Sequence, residues 1–442
     1  MYDKNWAEDY KKKLVSLDEA AKLIKSNDNI MMSAGPSTPV DLMNAIARRY
    51  KELDNVTVTS GILMNLLSHL NAEYKGHINH HTVFLGPLER MFLNQGNIEV
   101  TSYQFSKSDE IAVNGKPTVA LFEVSPPDER GFMSFGPLGT FNNGTVSRCV
   151  EKIIVQVNKK TPFVNGMDAH IHVSKVHCIC EADHDLADHD LTELPDAPPD
   201  PEDHKIAEYI VEQIPDGACI QLGLGKVANA VGFQLACKKD LGVHTEMLTD
   251  SMVVLANKGV INCEKKTLHR EKMVCGFGIG TKMLYDFMNR NPLISTFPIS
   301  YVCDLRNIAQ LDNFISINNA LTIDLTGQVC SETIGYSQYS GTGGQLDFVR
   351  GAQLSRGGKS FIAVKSVAET KKGKISRISC ALPPGTVVTT PRSDVQYVVT
   401  EYGIACLHNQ SIEKRVKSLV AIAHPDFRDQ LMKEAKDAGL IR

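Results

Sequence analysis

Gln221, Leu222, Gly223, Leu224, Gly225 and Lys226 run from the end of an apolar stretch into a helical pattern that continues through Val227 and Ala228. Glycines at such a junction let the backbone turn sharply and bring N–H groups at a helix N-terminus close to an anion or an oxyanion. Gly223, Gly225 and Ala228 also spell G-x-G-x-x-A, with Glu246 about twenty residues further on, the spacing of a dinucleotide fingerprint and its ribose-binding acid. A tight turn that binds nothing has the same letters. LGVHTEM, at 241 to 247, reads as a strand whose end presents Glu246 where open α/β sheets hold their ligands. A carboxylate there serves as a base, a nucleophile or a surface group. His244 alternates with Glu246, either as its partner or as a packing residue. In YSGTGGQLDFVRGA, at 339 to 352, Gly341, Gly343 and Gly344 precede Asp347 and Arg350. Glycines lose more conformational freedom on ordering than other residues, so a cluster needs a reason. Either a bulky ligand approaches the backbone or a hairpin turns there.

Other polar segments carry less. HCICEADHDLADHD, at 177 to 190, tempts a metal assignment, but C-x-C followed by H-x4-H matches no closed zinc spacing, so no metal site is expected. VSPPDERGF (124 to 132) reads as a strand ending in a turn, and VVTEYGIA (398 to 405) as a strand and turn carrying Glu401.

The elements that must position these groups alternate along the chain. LDEAAKLIK is helical, NIMMSAG a short apolar strand, and PSTP opens a second helix, VDLMNAIARRY. NVTVTSGILM, TVALFEV and EKIIVQV supply further strands, which argues for a mostly parallel α/β sheet. After an acidic, proline-rich stretch the order returns: helix HKIAEYIVEQI, strand ACIQLG, glycine turn, helix NAVGFQLACKK. An offset of 188 carries Asp28 to Asp216 and Gly35 to Gly223, and 187 carries Val56 to Val243 and Thr59 to Glu246. The expectation is two similar open α/β lobes from an internal duplication: 1–187, an acidic linker at 188–205, and 206–442 with the glutamate.

Composition bounds the function class. With 47 basic against 51 acidic residues and no basic stripe interleaved with aromatics, no nucleic-acid partner is expected. No apolar run reaches the roughly 20 residues needed to cross a bilayer, and the charged start MYDKNWAEDYKKKL has no apolar core behind it, so no membrane association and a cytoplasmic location are expected. Eleven cysteines without a CxxC pair fit free, mostly buried thiols in a reducing compartment.

VSPPDERGF, QLGLGKVANAV, LGVHTEM, FISINNALTIDLTGQV, SGTGGQLDFVRGA, VVTEYGIA and AHPDFRDQL, in this order, resemble the acetyl-CoA hydrolase/transferase family, in its butyryl-CoA:acetate and 4-hydroxybutyrate CoA-transferase branch. The resemblance runs over nearly the whole chain. It implies two similar α/β lobes and coenzyme A transfer from a short-chain acyl-CoA to a free carboxylate, with Glu246 as the nucleophile that becomes a glutamyl-CoA thioester. It implies that Gln221 to Gly225 contribute backbone around the reacting carbonyl and coenzyme A, that Gly343 and Gly344 line the coenzyme A site, and that Asn318 and Glu401 are polar groups beside the nucleophile. The partners would be acyl-CoA and a short carboxylic acid, with no permanently bound cofactor. A homodimer or homotetramer is the general expectation for such an enzyme. Hydrolysis on the same glutamate is the alternative, and a nicotinamide-dependent oxidoreductase the distant one. Similar transferases usually read G-I-G-x-[IM]-P-[ND]-A-V at the glycine turn, whereas this chain has Lys226 after Gly225 and Ala228 in place of the proline. Lys226 either faces an acidic substrate or points to solvent.

Overall fold

The computed structural model describes residues 5–138, 141–182, 198–371 and 373–442. The chain forms two compact units: Met1–Pro195 with Val274–Val302, and Asp196–Met273 with Cys303–Arg442. The later segment Val274–Val302 groups with the first unit rather than with the rest of 206–442. Thr296 bridges Gly166, where any Cβ would collide with it, and the Arg290 N–H donates to the Phe163 carbonyl at 2.8 Å. The stretch expected as a linker also ends early. Helix Pro201–Glu212 starts inside it, with Pro201 at the first position and Asp200 and Asp203 forming a reciprocal capping box. Most of the linker, and of the 177–190 cluster, lies outside the described residues.

In the first unit a parallel sheet has the spatial order Ile98–Val100, Ile78–Thr82, Val56–Ser60, Asn29–Met32, Val119–Val124, Lys152–Val157, Cys178–Glu181. Helix Val40–Arg48 packs Leu42, Met43 and Ile46 into the core of this unit with Ile30, Val56 and Val58 from the sheet.

In the second unit Gly242–Leu248, Cys219–Leu222, Phe314–Asn319, Lys359–Ala363 and Tyr397–Thr400 lie side by side and parallel, and Gly403–Cys406 closes the edge as an antiparallel hairpin. The central strand is flanked by the next strand in sequence on one side and by a crossover strand on the other, as Asn29–Met32 is in the first unit. That shared order supports the duplication. Helices Ile412–Ile422 and Pro425–Asp437 bury Leu419, Val420 and Leu431 with Ile362 and Val398. Parallel strands leave all their C-terminal ends on one edge, and the turns that follow them carry the polar groups.

Candidate active site

Glu246 is the fifth residue of Gly242–Leu248. The ladder to Cys219–Leu222 pairs Gly242 with Cys219 and Val243 with Ile220, so the glutamate stands past that ladder, on the C-terminal side. Its neighbours His244 and Thr245 are fully buried, and the His244 ring meets Phe314 edge-on at 6.2 Å. The His244 ring thus packs against Phe314 within the sheet.

The glycine loop after Tyr339 meets the glutamate. Gly344 caps helix Gln345–Leu354, and its N–H donates to Glu246 Oε2 at 3.0 Å. Glycine is required there by contact: a Cβ at 344 would fall inside Oε2 of Glu246 and lie 2.9 Å from Cys303 Sγ and 3.1 Å from the Phe348 ring. Gly343 is required by conformation, with φ +63° in the left-handed region. The group that approaches Gly344 is neither of the two expected causes but a side chain of the protein itself.

The carboxyl of Glu246 is pushed up to about 8, chiefly by burial. The Gly344 N–H pulls the other way, and the negative charge of Asp347 adds to the rise. The folded chain therefore holds this proton more tightly than the unfolded one, and stability falls as pH rises from the ordinary carboxyl value to about 8. Glu246→Gln removes that penalty. Its thermal stability should match the parent near pH 4.5 and exceed it by about 1–3 kcal/mol at pH 8 and above, as read by melting across that range. Equal melting curves at all pH values would contradict a desolvated carboxyl.

Beside this strand, Gln221, Ser316 and Asn318 form a closed amide network. Ser316 Oγ donates to Gln221 Oε1 at 2.8 Å, Asn318 Nδ2 donates to the same oxygen at 3.2 Å, and Gln221 Nε2 donates to Asn318 Oδ1 at 3.3 Å. Register sets this up, since Gln221 pairs with Ser316 and residues two apart share a face. The Gly223 N–H is taken by the Ile317 carbonyl at 2.8 Å, and a Cβ at 223 would press on that carbonyl and on Asn318. Of the turn's backbone donors, those of Leu224 and Gly225 bond no partner among the described residues. Gly225, at φ +111°, caps helix Lys226–Gln234, and Asn319 Nδ2 donates to the Leu224 carbonyl.

Two expected neighbours have partners of their own. Glu401 accepts from the N–H and the hydroxyl of Ser366. Lys226, its side chain 47% exposed, lies 3.8 Å from Asp200, which also pairs with Lys365. Such an exposed pair contributes at most about 1 kcal/mol.

Comparison with known proteins gives the arrangement a family. The models for the acetyl-CoA hydrolase/transferase N-terminal and C-terminal domains match residues 1–187 and 280–435. The chain is 40% identical to a 4-hydroxybutyrate coenzyme A transferase of Clostridium kluyveri over 98% of its length and 99% of the relative's. It is 39% identical to a butyryl-CoA:acetate CoA-transferase of Anaerostipes caccae, covering 99% of both chains. The chain belongs to the acetyl-CoA hydrolase/transferase family. Its fold agrees: the crystal structure of RipA from Yersinia pestis superposes with a TM-score of 0.91 at 35% identity, over 99% of this chain and 100% of that one.

Glu246 falls between the two matched family segments of this acetyl-CoA hydrolase/transferase chain, so its environment rests on the geometry above. Family membership also displaces the dinucleotide reading of the Gly223–Gly225 turn. Sequence reasoning missed Cys303, a fully buried thiol held far from ionisation by burial and by the charges of Asp347 and Glu246. No local pattern marks it. It also missed Ser316, which the alternation Phe314, Ser316, Asn318 would have revealed.

Proposed function

We propose that this member of the acetyl-CoA hydrolase/transferase family moves coenzyme A from a short-chain acyl-CoA, of the butyryl or 4-hydroxybutyryl type, to a free carboxylate such as acetate, with Glu246 as nucleophile. One observation carries the reading: a glutamate at the C-terminal edge of a parallel sheet, desolvated yet still partly exposed, with one oxygen fixed by the Gly344 N–H. Burial weakens the carboxylate's hydration and so sharpens it as a nucleophile once ionised. The N–H directs one oxygen and leaves the other to attack.

In the proposed cycle, ionised Glu246 attacks the acyl-CoA carbonyl and expels coenzyme A as thiolate, leaving an acyl-glutamyl anhydride. The thiolate attacks the glutamyl carbonyl, releases the donor carboxylate and leaves a Glu246–CoA thioester. The acceptor carboxylate attacks that thioester and expels the thiolate, which takes the new acyl group from the second anhydride. Glu246 leaves as a carboxylate. No electrons are exchanged with a redox partner, because the thioester is conserved from donor to acceptor. Each tetrahedral intermediate carries an oxyanion, and the Leu224 and Gly225 N–H groups are the available backbone donors near the Gln221–Asn318 network, each such donor contributing roughly 3 kcal/mol. Binding of the long coenzyme A chain would hold the small acyl group against a weak nucleophile.

Incubation with butyryl-CoA tests this, followed by borohydride reduction and peptide mass spectrometry. The expected result is reduction at Glu246, and butyrate release that rises with added acetate while acetyl-CoA accumulates in equal amount. Turnover indifferent to acetate would instead assign hydrolysis at the same residue.

A further inference from the structure

The Gly344 N–H meets Glu246 only if the loop before it keeps its shape, and that loop is tied to one buried carboxylate. Glu332 is 5% exposed. Its Oε2 accepts from the Thr342 hydroxyl at 3.0 Å, two residues before Gly344, and its Oε1 accepts from the Thr389 hydroxyl at 2.9 Å. Its backbone carbonyl accepts the N–H groups of Tyr339 and Ser340, at 2.8 and 3.1 Å, where the loop begins. The Thr389 hydroxyl in turn accepts the Ser331 N–H at 2.9 Å, and Gln345 Nε2 donates to Thr390 Oγ1 at 3.1 Å just past Gly344. One residue thus holds both the start and the middle of the SGTGG loop and anchors them to the 389–390 segment.

We propose that Glu332 is a positioning residue for the nucleophile, fixing the SGTGG loop so that the Gly344 N–H is delivered to Glu246. The inference rests on the transferase reading above and adds to it a residue that does not touch the reacting atoms. A buried side chain that accepts from two hydroxyls through its two oxygens ties two segments together, and removing it leaves both hydroxyls without their acceptor. A hinge immediately before Gly343, whose left-handed backbone already fixes the turn, transmits any slack to Gly344 within two residues. The loss of that N–H from Glu246 has its own signature, since it is the group that opposes the rise of the Glu246 carboxyl; the charge of Asp347 raises it, the buried Cys303 thiol beside it is held far from ionisation, and neither is altered by the change.

The test compares Glu332→Ala, Glu332→Gln and Thr342→Val with the parent in kcat and KM for acyl-CoA, in the pH profile of kcat/KM, and in the rate of Glu246–CoA thioester formation. In the parent kcat/KM should climb about tenfold per pH unit and level off near 8. Glu332→Ala is expected to lower kcat about 10- to 100-fold with KM changed less than about threefold, and to move the midpoint upward by about half a unit or more. Thr342→Val should move both in the same direction by less. Glu332→Gln, which keeps one acceptor oxygen and can donate to the other hydroxyl, should restore most of the loss. If Glu332→Ala does not fold, Thr342→Val decides alone. Variants that melt earlier but keep the parental kcat and midpoint would overturn the proposal and leave Glu332 a structural residue. A parent that forms no thioester would instead overturn the transferase reading, so the two failures are distinguishable.

Discussion

Glu246→Gln is expected to abolish coenzyme A transfer, with kcat falling about 10⁴-fold or more, while acyl-CoA still binds. The amide keeps the size of the side chain and can still accept from the Gly344 N–H, so the loss isolates the nucleophile. Glu246→Asp tests geometry: the carboxylate retreats by one methylene from an N–H now 3.0 Å away, and a fall of about 10² to 10³ is expected. Neither variant should give a reducible adduct at the rate of the parent. Retained turnover in Glu246→Gln, confirmed by mass to be free of deamidation, would remove this residue from the chemistry.

LGVHTEM was legible as a strand from its apolar residues, whereas the role of Glu246 came only from the resemblance to the acetyl-CoA hydrolase/transferase family. Asn29–Met32, Val40–Arg48, Val119–Val124 and Lys152–Val157 were readable for the same reason: their apolar periodicity agrees with the element they form. Ile78–Thr82 was not, since INHHT looks like surface sequence. It is a sheet strand because Glu89 and His69 satisfy its polar side chains internally: His80 lies 3.1 Å from His69 and 3.3 Å from Glu89, and Thr82 donates to Glu89, all buried. Partners that come from elsewhere in the chain leave no periodic trace.

The same limit governs the site. Gly343 and Gly344 left a bulky ligand and a hairpin equally open, and only the fold reveals that Glu246 stands against Gly344. Helix Gln345–Leu354 was hidden by its glycine-rich entry and its mixed pattern, since its stability comes from burying Leu346, Phe348, Val349 and Ala352 rather than from a cap. Glu332 has no signature at all, because its role depends on Thr342 and Thr389, 10 and 57 residues away.

Gly344→Ala is expected to cost about 10² to 10³ in kcat/KM, the largest effect of any single methyl in this site. The backbone at 344 has φ −98°, an ordinary value for alanine, so no conformational strain arises. The penalty is the collision of the new Cβ with Glu246 Oε2 and with Sγ of the fully buried Cys303. Either the carboxylate swings away and loses its N–H, or the helix start retreats; both separate donor from acceptor. Overpacking of this kind should lower stability by about 1–3 kcal/mol without unfolding the chain. Gly343→Ala supplies the contrast, since there the left-handed backbone is the obstacle, and stability should suffer by about 1 kcal/mol or more with a smaller share of the loss falling on chemistry. The decisive measurement is the double variant. If the clash at Oε2 is the cause, shortening the side chain with Glu246→Asp opens the space the methyl needs, and the two substitutions together should cost at least tenfold less in kcat/KM than the product of their separate losses. Strictly multiplicative losses would mean that the methyl acts elsewhere, and that the contact between the loop and the nucleophile does not control the rate.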